Sequence, residues 1–374
     1  MRSISIRCRD IVLLCVALTA AAQVEAQIII GQTAGFSGPV AEAVKEATFG
    51  AHLYIDAVNA RGGINGQPIQ LLSVDDKFKP DLSAQNARAL AEKGAIALFL
   101  SRGTPNTQAI LPVLAEFKLP LIAPSTGAMV LHQPVNQYIF NVRSSYQREA
   151  QRVIQHLAQV GVRSIAIVRA DDSFGSDAFI GATRGFTDVN QKPVLDEKFD
   201  RFKPDFSAIA PKLKQSGAMA VLFICSGSTL AEGAKAFRAA GSNAQIVTLS
   251  NNASIGIIKQ MGVNARGTIV SQVFPDEKRS MAAPLIREAL ELARAKKVDA
   301  LSPAMVEGFA GAKVLVEGLR RAGPRPTRES LLIALNGMHK YDIGGMEMNY
   351  SQSSHTGLDF VDLSIIKVDG NFMR

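Results

Sequence analysis

Short, predominantly apolar runs alternate with stretches whose apolar residues recur every three or four positions, and this rhythm fills most of the chain. The runs at Ile28–Ile30, Ile69–Val74, Ala95–Leu100 and Pro120–Ala123 have the composition of strands buried on both faces. Between them, the patterns at 41–60, 82–93 and 106–117 are those of helices with one apolar face. In the first, Val44, Ala47, Ala51, Ile55 and Val58 align, and Arg61-Gly62-Gly63 supplies a glycine stop. Doubly buried strands alternating with helices predict a parallel sheet covered on both sides.

The rhythm restarts after Asn141-Val142-Arg143, with strands expected at 164–169, 193–198, 219–224, 245–249 and 268–272. Helices are expected at 147–159, 175–188, 206–215, 229–240 and 253–261. From 281 the pattern changes to helices at 281–296 and 303–322, a shorter one after Pro326-Thr327, and strand-like Met346–Tyr350 and Val361–Val368. This last block reads as the chain returning to cover the first lobe, and short crossings between lobes can act as hinges.

A local echo links the two halves. Lys77-Phe78-Lys79-Pro80-Asp81-Leu82-Ser83 recurs as Arg201-Phe202-Lys203-Pro204-Asp205-Phe206-Ser207, each time before a helix. Each copy reads as a loop followed by an aspartate helix cap, with the aromatic available as an apolar staple. The echo is either chance reuse of capping chemistry or one strand–loop–helix unit carried in both lobes.

The N-terminus has the form of an export signal. Arg2, Arg7 and Arg9 precede the apolar run Ile11–Ala22, and Val24-Glu25-Ala26 offers a cleavage site, so the mature chain is expected to begin at Gln27, free in the periplasm. The run is roughly 12 residues, too short to span a bilayer. Cys15 lies inside the run with no small residue before it, which argues against lipidation. Cleavage also removes Cys8 and Cys15, leaving Cys225 without a disulfide partner. Stability must then come from burial, and about 350 mature residues suffice for two ordinary domains. The chain carries a net charge of +8, but no basic run is interleaved with aromatics, so nucleic-acid binding is not expected.

In open α/β sheets, ligands bind beyond the carboxyl ends of the strands. Two successive strand ends here carry similar chemistry, Ser101-Arg102-Gly103-Thr104-Pro105 and Pro124-Ser125-Thr126-Gly127. Each offers hydroxyls, a glycine and backbone N–H groups at a helix start, which suits a carboxylate or another small anion. Thr104 is expected to cap its helix, with Pro105 at the first helical position. Ordinary capping accounts for either loop alone; the adjacent pair favours a binding site.

Taken in order, Ile28–Pro39, the Asn59–Gly66 turn, Val74-Asp75-Asp76, Pro124-Ser125-Thr126-Gly127 and Asp172-Ser173-Phe174-Gly175 resemble the periplasmic leucine/isoleucine/valine-binding protein family over essentially the whole mature chain. The resemblance implies a type I periplasmic binding protein: an α/β molecule of two doubly wound parallel-sheet lobes joined by three crossings. The expected division is a signal peptide at 1–26, an N-terminal lobe of 27–143 plus 276–349, and a C-terminal lobe of 144–275 plus 350–374. Such a protein closes on a small molecule and delivers it to the membrane permease subunits of an ABC importer. A monomer without cofactor is expected. A soluble periplasmic sensor of the same fold, signalling to a regulator, is the alternative.

By position, the resemblance assigns Gly103, Thr104, Ser125, Thr126 and Gly127 to a ligand carboxylate. Phe174 stands where the second lobe usually offers a tyrosine, and Ser226 where another aromatic is typical. Ser250 falls where an acid would pair with an amino acid's ammonium, and Leu249-Ser250-Asn251-Asn252 contains no carboxylate. An unpaired ammonium in a closed cleft is costly. The expected ligand is therefore an organic or aromatic acid without an α-amino group, with an amino acid still open if Asp172 or Asp76 substitutes for the missing acid.

Other residues carry two readings each. Arg102 either pairs with ligand or faces solvent, Ser37 either lines the cleft or makes a turn, and Arg143 and Tyr146 at the first crossing are either structural or ligand contacts. Asp75 and Asp76, adjacent in a strand, point apart and are expected in loop and capping roles rather than as a catalytic pair. Cys225 ends an apolar strand as a buried, inert thiol. The five histidines never stand at metal-ligand spacing, and neither a Walker loop nor GxGxxG is present, so no metal or nucleotide is expected. With no nucleophile set beside a base, binding rather than catalysis is expected.

Overall fold

In a computed structural model, residues 27–275 and 283–373 are described. The signal peptide expected at 1–26, the lobe limit expected at 276 and the start of the helix expected from 281 lie outside them.

The first unit runs β1 (Ile28–Ala34), α1 (Ala41–Asn59), β2 (Ile69–Asp75), α2 (Pro80–Glu92), β3 (Ala97–Phe99), α3 (Thr104–Phe117), β4 (Leu121–Ile122) and β5 (Ile139–Phe140). Its strands form a parallel sheet in the order β2-β1-β3-β4-β5. The second runs α4 (Tyr146–Gln159), β6 (Ile165–Ala170), α5 (Ser173–Asp188), β7 (Leu195–Phe199), α6 (Ile209–Gln215), β8 (Ala220–Ile224), α7 (Ser228–Ala239), β9 (Gln245–Thr248), α8 (Ile255–Met261) and β10 (Ile269–Gln272). Its parallel strands are ordered β7-β6-β8-β9-β10, the same winding as the first lobe.

The chain then returns to the first lobe as α9 (Pro284–Ala295), α10 (Pro303–Arg321), α11 (Arg328–Asn336) and a hairpin, β11 (Tyr341–Asp342) with β12 (Glu347–Met348). It crosses once more to add β13 (Asp362–Ile366) and β14 (Phe372–Met373), both antiparallel, at the β10 edge. The type I architecture of two lobes and three crossings is thus present. The antiparallel strands and the two-residue β5 depart from the expected pattern; β5 is too short to leave a periodicity.

Burial explains the strand signals. Every residue of β6 and β8 is buried, whereas the edge strand β7 alternates between exposed and half-buried positions along most of its length. The returning α10 lies directly on α1. A Cβ at Gly50 would come within 1.9 Å of the Met305 carbonyl oxygen, and one at Gly308 within 1.8 Å of that of Ala47, so both glycines are needed for this approach.

Both copies of the echo follow the second strand of their lobe, β2 and β7, so the unit is carried in equivalent places. Neither aspartate caps a helix. α2 starts at Pro80 behind Lys79, leaving Asp81 in the first turn, and Asp205 accepts from the Ser207 amide at 2.9 Å ahead of a helix that begins only at Ile209. The conserved device is one step earlier: Asp76 accepts from the Phe78 amide at 2.8 Å and Asp200 from the Phe202 amide at 2.7 Å.

Candidate functional site: the cleft between the lobes

In each lobe the strand order reverses beside the first strand, between β1 and β3 and between β6 and β8. The loops beyond the carboxyl ends of these strands are where a ligand fits in such a sheet. In the first lobe, Gly103 at φ 90° ends the β3 loop, and a Cβ there would press to 2.6 Å from the Phe78 ring. Gly103, not Thr104, is the cap of α3, so Thr104 and Pro105 lie inside the helix. That correction frees the Thr104 hydroxyl, which bonds the Thr126 hydroxyl at 2.8 Å, both residues being buried.

Ser125 joins the same wall, its amide donating to the Ser101 carbonyl at 2.7 Å. The Pro124–Gly127 loop leads not to a helix but to a short 3₁₀ turn, Met129–Leu131. The loop is pinned to the first crossing instead: the Gly127 carbonyl accepts from the Tyr146 amide at 2.7 Å, and a Cβ on Gly127 would lie 2.5 Å from the Ser144 carbonyl oxygen.

The second lobe supplies an aromatic and ionic wall. Phe174 is buried edge-on against Tyr146, with ring centroids 4.8 Å apart. Asp172 caps α5 through the Gly175 amide at 2.9 Å and pairs with Arg201 at 3.0 Å. Arg201 reaches across the cleft, its guanidinium 4.2 Å from the Phe78 ring centroid, so the two echo loops meet face to face. Pro39, Phe78, Phe174, Arg201, Ser226 and Thr229 are among the residues enclosing a cavity of ≈ 10 Å³, about the room for one water. A solute larger than water fits this cavity only if its walls part.

Deeper at the crossings lies an ionic cluster. The fully buried Arg143 bonds Glu149, donates to the Ser250 hydroxyl at 2.6 Å and stands 3.7 Å from Glu307. Burial works against the Arg143 charge, but Glu149, Tyr146 and Glu307 carry its pKa upward. Glu149 also accepts from the Ser250 amide at 2.9 Å and the Ser271 hydroxyl at 2.5 Å. Arg102 differs. It is 4 % exposed and donates to the Ser125 hydroxyl at 2.8 Å and to the Asn251 carbonyl of the opposite lobe. Burial lowers its pKa, Tyr146 and Glu307 offset part of that, and Arg143 adds to it.

Several bonds span the lobes directly. Glu46 on α1 accepts from the Ser254 hydroxyl at 2.8 Å and from the amides of Ile255 and Gly256 at 3.1 and 2.8 Å, at the start of α8. The Ser228 amide donates to the Pro39 carbonyl at 2.9 Å, and Ser173 donates to Gln108 at 2.5 Å.

The residues expected at the site thus separate. In the first lobe Arg102 bonds Ser125, Thr104 bonds Thr126, and Gly103 lies beside Phe78. At the crossing and in the second lobe Phe174 packs on Tyr146, Asp172 holds Arg201 and Ser250 takes Arg143, and Arg102 joins the two sets through the Asn251 carbonyl. Ser226 accepts from the Asn251 side chain at 3.1 Å. Ser37 is exposed and bonds Asp75 through its hydroxyl at 2.6 Å and its amide at 3.1 Å, which is the turn role. Asp76 is fully buried but spends its oxygens within its own lobe, on the Phe78 amide, Ser83 at 2.7 Å and Thr33 at 3.3 Å.

The sequence matches the periplasmic binding protein family over residues 27–369. The chain belongs to that family. This periplasmic binding protein is 25 % identical over 343 residues to a Leu/Ile/Val-binding protein homolog of Brucella melitensis, covering 88 % of each chain. A substrate-binding periplasmic protein from Ralstonia solanacearum superposes with a TM-score of 0.85 at 32 % identity, covering 93 % of this chain and 99 % of that one. A fatty acid ABC transporter substrate-binding protein from Thermomonospora curvata shares the fold, with a TM-score of 0.81 at 19 % identity, covering 92 % and 89 % of the two chains. The resemblance to the leucine/isoleucine/valine-binding proteins holds.

Phe78, Arg201, Glu149 and Asn251 were not among the expected site residues of this binding protein. The echo marks Phe78 and Arg201 in the sequence, but reading the aromatic as a staple conceals that they meet across the cleft. Glu149 carries no such signal; it occupies the first turn of α4, where an acid is ordinary helix chemistry.

Proposed function

We propose that this protein captures a small carboxylate-bearing solute without an α-amino group and presents it, closed between its lobes, to the permease subunits of an ABC importer. It acts as an exported monomer and performs no chemistry on its cargo. The observation that carries the cargo class is the state of the acids around Ser250. Where an ammonium would need a carboxylate, the Ser250 hydroxyl takes a bond from Arg143. Glu149 is engaged by Arg143, Ser250 and Ser271, Asp172 by Arg201 and the α5 amide, Asp76 by its own lobe, and Glu307 stands against Arg143 at 3.7 Å. An amino acid would have to break one of these arrangements or bury its ammonium unpaired, at a cost of several kcal/mol.

In this reading the hydroxyls of Thr104, Ser125 and Thr126 take the ligand's carboxylate end, with Gly103 and Gly127 fixing the loops that carry them. Phe174 and Tyr146 form the apolar wall, and Ser226 and Ser250 the polar floor of the second lobe. Closure follows because only the closed state lets both walls touch the solute, so ligand shifts the population toward it.

Native mass spectrometry of the purified protein, followed by a thermal-shift panel of organic acids, aromatic acids and amino acids, tests this directly. An acid at a hundred times its dissociation constant adds about 2.7 kcal/mol to stability. Stabilisation by leucine or valine, with none by the acids, overturns the reading.

A further inference from the structure

Three arginines stand buried around the cleft, and two bring their own counterions. Arg143 has Glu149 and Glu307, and Arg201 has Asp172. Arg102 has no carboxylate within ion-pair distance among the described residues; its acceptors are a hydroxyl and a backbone carbonyl. It does not face solvent, being 4 % exposed. A buried guanidinium whose hydrogen-bond acceptors are all neutral, with Glu307 acting on it only from beyond ion-pair distance, carries a desolvation penalty that a neighbouring anion would relieve.

We propose that Arg102 determines the specificity of the cleft by taking the ligand's carboxylate in a charge-assisted pair. This rests on the cleft reading above and adds to it a named cation and a charge requirement. The placement fits the role. Arg102 lies two residues before Thr104, its terminal nitrogens already reach Ser125 Oγ on one side and the Asn251 carbonyl of the other lobe on the second, and it lies in the electrostatic reach of Tyr146. A guanidinium offers five N–H donors in a planar fork matched to a carboxylate, and one bond on each terminal nitrogen leaves donors to spare. Because one of its present acceptors belongs to the opposite lobe, the group that recognises the anion also bridges the cleft. Hydroxyls alone would accept neutral and anionic ligands alike; a buried cation selects the anion.

The test uses the full mature protein and calorimetry with benzoate, hexanoate and 4-methyl-2-oxovalerate as probes, with benzamide as a neutral match for benzoate. The Arg102→Gln variant is expected to bind the acid accepted by the wild type at least about thirtyfold more weakly, and Arg102→Lys is expected to recover part of the loss. Arg102→Gln is also expected to melt, without ligand, no lower than the wild type, since an unpaired buried charge has been removed. Unchanged acid affinity in Arg102→Gln overturns the assignment while leaving the cleft reading intact. So does a lowered melting temperature restored by lysine with affinity unaltered. A wild type that binds none of the acids, or binds benzamide as tightly as benzoate, overturns the assignment of Arg102; the first of these removes the cleft reading as well.

Discussion

The two echo loops share sequence, topological place and turn, yet they differ in burial. Phe78 is 5 % exposed and sits beneath Arg201, whereas Phe202 is 65 % exposed. In the second loop the core position passes to Phe206, which meets Phe199, Phe223 and Phe237 at centroid distances of 5.2 to 5.7 Å. The basic residues before the aromatics exchange roles too: Lys77 is exposed, and Arg201, equivalent to it, crosses to the other lobe. Local sequence therefore sets the turn, through an aspartate that bonds the amide two residues on, but the core of each lobe decides which aromatic is buried. Phe78 lies beside Val40 and Val44 and Phe206 among the phenylalanines, and the opposing lobe adds Arg201 over Phe78. One loop contributes to the cleft wall, the other mainly its arginine.

Truncation of the aromatics should separate the loops most widely. Phe78→Ala is expected to cost about 3 kcal/mol in urea unfolding, as for other buried phenylalanines. Phe202→Ala is expected to stay within about 0.5 kcal/mol. Equal costs would break the comparison.

The basic pair comes next. Arg201→Ala removes the cover from Phe78 and leaves Asp172 without its cation, an expected loss of about 2 kcal/mol, against no measurable change for Lys77→Ala. A double-mutant cycle between Arg201→Gln and Asp172→Asn should return a favourable coupling; additivity would mean that the pair contributes nothing.

The smallest difference concerns the turn aspartates. Burial raises the Asp76 pKa, with the bonds from Ser83, Phe78 and Thr33 working against the rise. The folded state then holds this proton more firmly than the unfolded chain, so the group's contribution is present below the ordinary carboxylate pKa and lost as pH rises through the folded value. Asp76→Asn should accordingly gain stability relative to the wild type as pH rises over that window, in urea titrations at a series of pH values. Asp200→Asn keeps an oxygen acceptor for the Phe202 amide in an exposed turn, so its expected cost at neutral pH is within about 0.5 kcal/mol.

Much of the fold is legible in the sequence because both lobes bury most of their strands on two faces and pair them with amphipathic helices. The expected helices at 41–60, 147–159, 229–240 and 303–322 agree within a residue with α1, α4, α7 and α10. What fails is set by tertiary contact rather than by pattern. β5 is two residues held by pairing with β4, and β13 and β14 run antiparallel because the last crossing delivers them to the β10 edge. Within the site, the loops at Ser101–Thr104 and Ser125–Gly127 stand out by their hydroxyls. Arg201 over Phe78, and Glu149 beneath Ser250, join residues more than a hundred positions apart and leave no local trace.

The most direct test of the cleft is calorimetry with a matched pair, 4-methyl-2-oxovalerate and leucine, which share a side chain and a carboxylate and differ in the α-amino group. With Glu149, Asp172 and Asp76 engaged and Glu307 set against Arg143, the keto acid is expected to bind at least about a hundredfold more tightly than leucine. Leucine binding as tightly as the keto acid, or more so, would contradict the account.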